Sequence, residues 1–411
     1  MASGVKLQRT AQLGKLATAS ALGFAITWLG VLILMLGSHA WILDAHGKPI
    51  ATDFVEVWVA GKTALAGQAG AVYDPKLHYA AEVAAVGHGF HGHLWWHYPP
   101  QALFLAAALA LLPYLAAFLF WVGSTGAAYA AAVWSIAKSR LAPVVALGAP
   151  AVFLNAVCGQ NGCLTATLMA AALVCLEDRP VLAGMSVGLL AYKPQLGLLF
   201  PFFLAASGRW RAFAVAGVVA LLVVAAAVSA FGTTTLLAFI HYLPLASQTM
   251  LVDNHAGWSK LQSIYALARF ADLTDSAART LQAGATICAI LGIVLLWRRD
   301  LAYLLKAAAV PVGCLLATPY LYMYDFPILG ISIAFLCRHR ELDAVELGGV
   351  AAANLIILAY ALGVCVAPVG PIAAAVICGL VARRVRAESL ATCPPLSAPA
   401  SRTGKGFHIY G

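Results

Sequence analysis

PVLAGMSVGLLAYKPQLGLLFPFFLAASGRWRAFAVAGVVALLVVAAAVSAF, residues 180–231, is apolar for almost its whole length. Two interruptions break it, Tyr192-Lys193-Pro194-Gln195 and Arg209-Trp210-Arg211. Long Ala/Leu/Val runs exclude a membrane β-barrel, whose strands alternate apolar and polar residues. A lysine inside such a run costs about 2.5–3.5 kcal/mol on insertion unless it snorkels or meets an anion. With Pro194 beside it, Lys193 marks a broken helix facing a cavity, the setting in which non-helical backbone is tolerated at depth.

The rest of the chain has the same character. Of 411 residues, 62% are hydrophobic and 10% charged, and the mean hydropathy is +0.87. No soluble domain hides that much apolar surface, so the fold class is an all-α polytopic membrane protein. The formal charge of +9 comes largely from short Lys/Arg clusters at 138–140, 179, 209–211, 298–299, 338–340 and 383–386. Such clusters mark cytoplasmic loops, so the charge does not point to nucleic acid. Placing them all inside predicts about 12 passes and cytoplasmic termini. It also predicts outer loops at 41–99 and 232–275 within one integral-membrane domain, 1–386. The basic N-terminus before the apolar run 20–43 reads as an uncleaved signal anchor. The small, polar stretch 387–411 reads as a disordered cytoplasmic tail. Pro113 is expected to bend or split the long apolar segment 100–137. The nine cysteines suggest packing residues, with no disulfide framework. Without a usable GxxxxGK[ST] or GxGxxG, ATP-driven transport has no engine.

Polar residues are scarce in such a chain, so where they gather is informative. Asp53 and Glu56 lie in ATDFVEVWVAGKTAL, 51–65. Their three-residue spacing fits a capping box, with Asp53 as the N-cap. It also fits a carboxylate held at the membrane surface as a general base. HGFHGHLWWHYPPQ, 88–101, sets His88, His91, His93 and His97 at spacings a metal would accept. No Cys or acidic residue stands nearby, and no metal is expected. Trp95, Trp96 and Tyr98 suit an interface belt. Gln160-Asn161 in CGQNGC and Lys193-Pro194-Gln195 form polar breaks between short helices. Late in the chain, 253–270 offers Lys260 and Arg269 on an amphipathic stretch suited to headgroups. Asp325 follows Tyr320, Tyr322 and Tyr324 and opens a helix, where it too fits a cap.

Taken in order, these pieces resemble glycosyltransferase family 87. The features that carry the resemblance are Asp53, Ala60-Gly61, Gly67, Tyr73-Asp74, Tyr98-Pro99-Pro100, Gly159-Gln160-Asn161, Ala183-Gly184 with Lys193-Pro194, and finally Pro319 with Asp325. They extend over about residues 20–340. The resemblance implies a GT-C-like membrane enzyme, an inverting hexosyltransferase. Its donor would be a polyprenyl-phosphate sugar, mannose first, and its acceptor a lipid or glycan hydroxyl at the outer face of a bacterial inner membrane. It implies Asp53 as general base. Glu56, Trp96, His97, Tyr98, Gln160, Asn161, Lys193, Gln195, Lys260, Tyr324 and Asp325 are then the candidates around donor and acceptor. No metal, nucleic acid or cofactor is implied beyond the lipid-linked donor.

Charge grows on the leaving phosphate in the transition state, and Lys193 and Lys260 are the candidates to meet it. Many relatives carry Trp and His beside the late acidic residue. Here the run is Tyr322-Met323-Tyr324-Asp325, so His97 or His255 would have to replace that histidine. A lipid or sugar transporter is the alternative. Inverted repeats with paired broken helices would mark it, and the sequence contains no convincing repeat.

Overall fold

The structure, a computed structural model, describes residues 2–392 except 93 and 255–256. His93, His255, Cys393 and the stretch 393–411 therefore lie outside the described residues. Among the described residues every regular element is helical, and the only pairings of extended backbone are isolated bridges. Six helices are long and apolar enough to cross a membrane, by length and composition: Gly14–Gly37, Tyr114–Ala137, Trp210–Phe231, Thr233–Val252, Asp275–Arg298 and Ala344–Ala361. A bilayer core of about 30 Å needs about 20 helical residues, and these supply them. Five shorter apolar helices, such as Gly162–Cys175 and Tyr303–Ala317, bring the total toward the expected number of passes without fixing it.

Pro113 splits the apolar segment 100–137 into Leu103–Ala110 and Tyr114–Ala137, of which only the second has spanning length. The segment 232–275, expected as an outer loop, opens with an apolar helix over Thr233–Val252. That helix packs on the segment 41–99 through Phe239 against Tyr73 and Tyr242 against His97. The last helix, Gly370–Thr392, continues past Arg386 into the stretch read as a tail. No disulfide joins the described cysteines.

Two large cores divide the molecule. One is built by the membrane helices from Tyr129 to Val381, with Phe200, Phe203, Leu305, Val310 and Phe335 at its centre. The other belongs to the segment 41–99, where helices Asp53–Leu65 and Pro75–Val86 bury Phe54, Val55, Val59, Tyr73 and Trp96 against Leu103, Phe118 and Trp121. Asp74 starts the second of these helices by accepting from the backbone N–H groups of Lys76 and Leu77, an ordinary N-cap. A small third core forms around Leu251, Leu261 and Tyr265. It is tied to the segment after Ala317 by a bridge, in which the Gln262 N–H donates to the Leu321 carbonyl at 2.7 Å. Asp53, Tyr98, Gln160, Asn161, Lys193 and Asp325 collect in one hydrogen-bonded group.

Candidate functional site

The chain breaks between helices Pro150–Cys158 and Gly162–Cys175, and glycine makes the break possible. Gly159 has φ +66°, a left-handed conformation that costs a side-chain-bearing residue energy. A Cβ at Gly162 would sit 1.8 Å from the Tyr324 carbonyl oxygen, so only glycine lets these segments touch. Between the two glycines Gln160 and Asn161 are exposed by 3% and 6%, with their amides turned inward. A second break follows Leu190–Tyr192, where Lys193 takes an extended φ of −140° and Pro194 starts the next short helix. The broken helix expected from the sequence is present, and Lys193 is buried.

These side chains form one directed relay. Lys193 Nζ donates to Asp325 Oδ1 at 2.5 Å and to Asn161 Oδ1 at 3.0 Å. Asn161 Nδ2 donates to the Tyr98 hydroxyl at 2.7 Å, and that hydroxyl donates to Gln160 Oε1 at 2.9 Å. Gln160 Nε2 then donates to Asp53 Oδ2 at 3.3 Å. An ammonium has no acceptor to offer. It therefore fixes which end of the Asn161 amide faces it, and the polarity passes link by link until an N–H points at Asp53. Each bond polarises the next in such a chain. Asp325 is anchored from its other side by the Tyr322 N–H at 3.2 Å, so its cap-like role and its ion pair coexist. Tyr324 lies under the Lys193 ammonium, 5.2 Å from ring centroid to Nζ, and stacks on Tyr322.

Asp53 does not cap. Thr52 is the N-cap of helix Asp53–Leu65, and no side chain makes a cap hydrogen bond there. The capping-box reading of Asp53 and Glu56 is thus corrected. The carboxylate that a cap would occupy is turned to Gln160. Asp53 keeps some exposed surface, yet protein surrounds it closely enough that burial raises its pKa, against the Gln160 hydrogen bond and the positive field of Lys260. Glu56 is buried, and burial raises its pKa further, with Asp53 and Glu82 adding repulsion. Lys260 is exposed beside the Leu261–Tyr322 bridge. A small cavity opens against the relay, lined by Tyr98, Gln160, Asn161, Trp96 and Tyr192.

Other candidates fall outside the relay. Gln195 is half-buried and takes no part in it. His97 pairs its Nδ1 with the Tyr242 hydroxyl at 3.0 Å and stacks on Trp95, away from Asp53. Burial lowers its pKa to about 4, which leaves a neutral ring at pH 7. His88 and His91 are exposed, and the described residues contain no metal-holding group of three His, Cys, Asp or Glu. Sequence reasoning missed Tyr192, which lines the cavity and shares its hydroxyl with Thr165 at 2.5 Å. It also missed Trp121, whose indole donates to the Gly159 carbonyl at 2.9 Å and pins the first break. Tyr192 stood next to Lys193 in a break already singled out, and that adjacency was the available signal.

The sequence model of glycosyltransferase family 87 matches residues 96–319, more than half of the chain. Comparison with curated proteins and with solved structures returned no match. Most of the relay, from Tyr98 through Gln160 and Asn161 to Lys193, lies inside the matched range, while Asp53 precedes it and Asp325 follows it. A match of that extent over an integral membrane protein makes this chain a member of glycosyltransferase family 87.

Proposed function

We propose that this chain is an inverting hexosyltransferase of GT-C type, with Asp53 as its general base. The donor is a polyprenyl-phosphate sugar, mannose first, and the acceptor is a lipid or glycan hydroxyl. The site opens to the periplasmic side of a bacterial inner membrane, and both termini are cytoplasmic. One observation carries this reading: the Asp53 carboxylate is free of any capping role and sits at the end of an oriented relay, whose Tyr98, Gln160 and Asn161 line a cavity.

In one displacement the acceptor oxygen attacks the anomeric carbon while Asp53 takes its proton. The bond to the lipid phosphate breaks, and the phosphate leaves with the electron pair. A raised pKa suits this role, because a base works best when its pKa approaches the operating pH. Lys260, exposed and within the field of Asp53, is the cation suited to the leaving phosphate. Lys193 is committed to Asp325 and Asn161, so it acts as a positioning residue.

Membranes containing the protein, given radiolabelled polyprenyl-phosphate mannose, should accumulate a labelled lipid or glycan. Lys260→Ala should slow that transfer by about 10²-fold, the low end for loss of one group stabilising developing charge. Release of label to water alone, or its passage across vesicles with no glycosylated product, would exclude transfer.

A further inference from the structure

Asp53 and Glu56 stand three residues apart on helix Asp53–Leu65, so their side chains leave the same face. The relay ends on both of them. Gln160 Nε2 donates to Asp53 Oδ2 at 3.3 Å, and the same side chain reaches Glu56, where its hydrogen bond opposes the effect of burial. An amide nitrogen carries two hydrogens, so one group can serve two carboxyls. The two sites are unequal. Asp53 keeps some exposed surface and lies in the positive field of Lys260, whereas Glu56 is buried.

What surrounds Glu56 keeps its proton on. Burial is the largest influence, followed by the charge of Asp53 and then by Glu82. Glu82 comes from helix Pro75–Val86, where it meets His78 at 3.3 Å and accepts from the Leu94 backbone. Burial raises its own pKa to about 8. Tyr98, Tyr242 and Tyr322 also face Glu56, and phenols, with an ordinary value near about 10, are neutral at pH 7. Helix Leu103–Ala110, packed on the same helix, carries no titratable residue. Lys193 pulls the other way, but its ammonium is committed to Asp325 and Asn161. Two carboxylates sharing a site do not readily ionise together, so the pair retains a proton. Where surroundings push two carboxyls apart in this way, their roles separate into an ionised base and a neutral partner.

We infer that Asp53 and Glu56 form a one-proton carboxyl pair bridged by Gln160, in which Glu56 is the neutral member and leaves Asp53 as the sole base, and that ionisation of Glu56 shuts the site at alkaline pH. This rests on the transferase reading with Asp53 as base. During transfer Asp53 takes the acceptor's proton, the pair then holds two, and one passes to water after the product leaves. Ionised Glu56 adds a second negative charge beside Asp53 and competes with it for the Gln160 N–H. The added charge repels the donor phosphate, so the alkaline loss falls on the donor KM more than on kcat. Activity therefore fails as pH falls through the Asp53 value and again as it rises through the Glu56 value, which makes the profile a bell.

Two measurements on the full-length protein test this. Transfer from radiolabelled polyprenyl-phosphate mannose is followed in membranes from about pH 5 to about pH 10, a range that brackets ordinary carboxyl and phenol values. Separately, the infrared stretch of protonated carboxyls is recorded at pH 7 on purified protein in nanodiscs, with no turnover. The parent should show an alkaline limb across which the donor KM rises by about fivefold or more while kcat changes little. Glu56→Gln cannot ionise and should lose that limb, with transfer staying about tenfold or more above that of Asp53→Asn. Glu56→Leu gives the same answer on the limb should Glu56→Gln fail to assemble. Glu82→Gln should keep the limb, and the infrared band should be present in the parent and weaker in Glu56→Gln. A parent without an alkaline limb, a limb that survives in Glu56→Gln, or one that Glu82→Gln alone abolishes would overturn the inference. Transfer lost in Asp53→Asn with no infrared difference in Glu56→Gln would defeat the pairing alone. Full transfer in Asp53→Asn with that difference present would defeat the catalytic reading alone.

Discussion

Lys193 holds its charge where solvent barely reaches, balanced by Asp325, and both residues are almost completely buried. Breaking a buried pair by removing one partner leaves an uncompensated charge and costs about 3–5 kcal/mol. Lys193→Met should therefore lower the thermal midpoint of the detergent-solubilised protein sharply, while Lys193→Met with Asp325→Leu should recover most of the loss. A double-mutant cycle of melting temperatures measures this coupling, and additive losses would show that the pair contributes nothing. Transfer should stay impaired in both variants, because Asn161 loses the donor that orients it. At this scale the sequence was informative wherever a polar residue interrupted an apolar run. Lys193, Gln160 and Asn161 stood out for that reason and do meet. The spacing of Asp53 and Glu56 suggested a cap, and only the tertiary contact with Gln160 decides otherwise. His78 and Glu82 gave no signal, since an i,i+4 His–Glu pair on a loop helix resembles any solvated pair until packing buries it.

At the scale of elements, the site depends on two helices that stop early. Gly162 faces the Tyr324 carbonyl so closely that Gly162→Ala must push the 318–325 segment away from the first break. Overpacking of this kind costs about 1–3 kcal/mol. The displaced segment carries Asp325, so transfer should fall by more than the stability loss explains. Transfer measured per folded molecule in Gly162→Ala tests this, and full activity would mean that the breaks need not touch. The split at Pro113 was legible because proline cannot continue a helix. The helix over Thr233–Val252 was not. Basic clusters fixed its neighbours' sidedness, and a segment of mean hydropathy 1.3 sits near the boundary between loop and span. Its packing on Tyr73 and His97 depends on residues far away in sequence.

At the scale of the whole molecule, the two large cores meet at the relay, and the segment beside the third core adds Lys260. At the opposite end, Arg384 donates to Glu346 at 2.8 Å while Arg340 and Arg383 join the same carboxylate, which ties helices Ala344–Ala361 and Gly370–Thr392 together. Composition alone made the all-helical membrane class legible. Which loops fold over the site was not, because that follows from aromatic contacts between distant segments. The proposed sidedness has a direct check in a cysteine-free background. Lys48→Cys should react with a membrane-impermeant maleimide from outside intact cells, and Arg299→Cys only after permeabilisation; the reverse pattern would put the site on the wrong face.

The central claim concerns Asp53 itself. Its raised pKa means that base activity should fade as pH falls through that raised value, well before an ordinary aspartate would protonate. Loss of a general base lowers turnover by about 10²–10⁴-fold. The most direct measurement is sugar transfer from a polyprenyl-phosphate donor by purified Asp53→Asn beside the parent, at matched folding and across pH. We predict a loss of that order and disappearance of the acidic limb of the pH profile. Undiminished transfer by Asp53→Asn, with the same pH dependence as the parent, would contradict it.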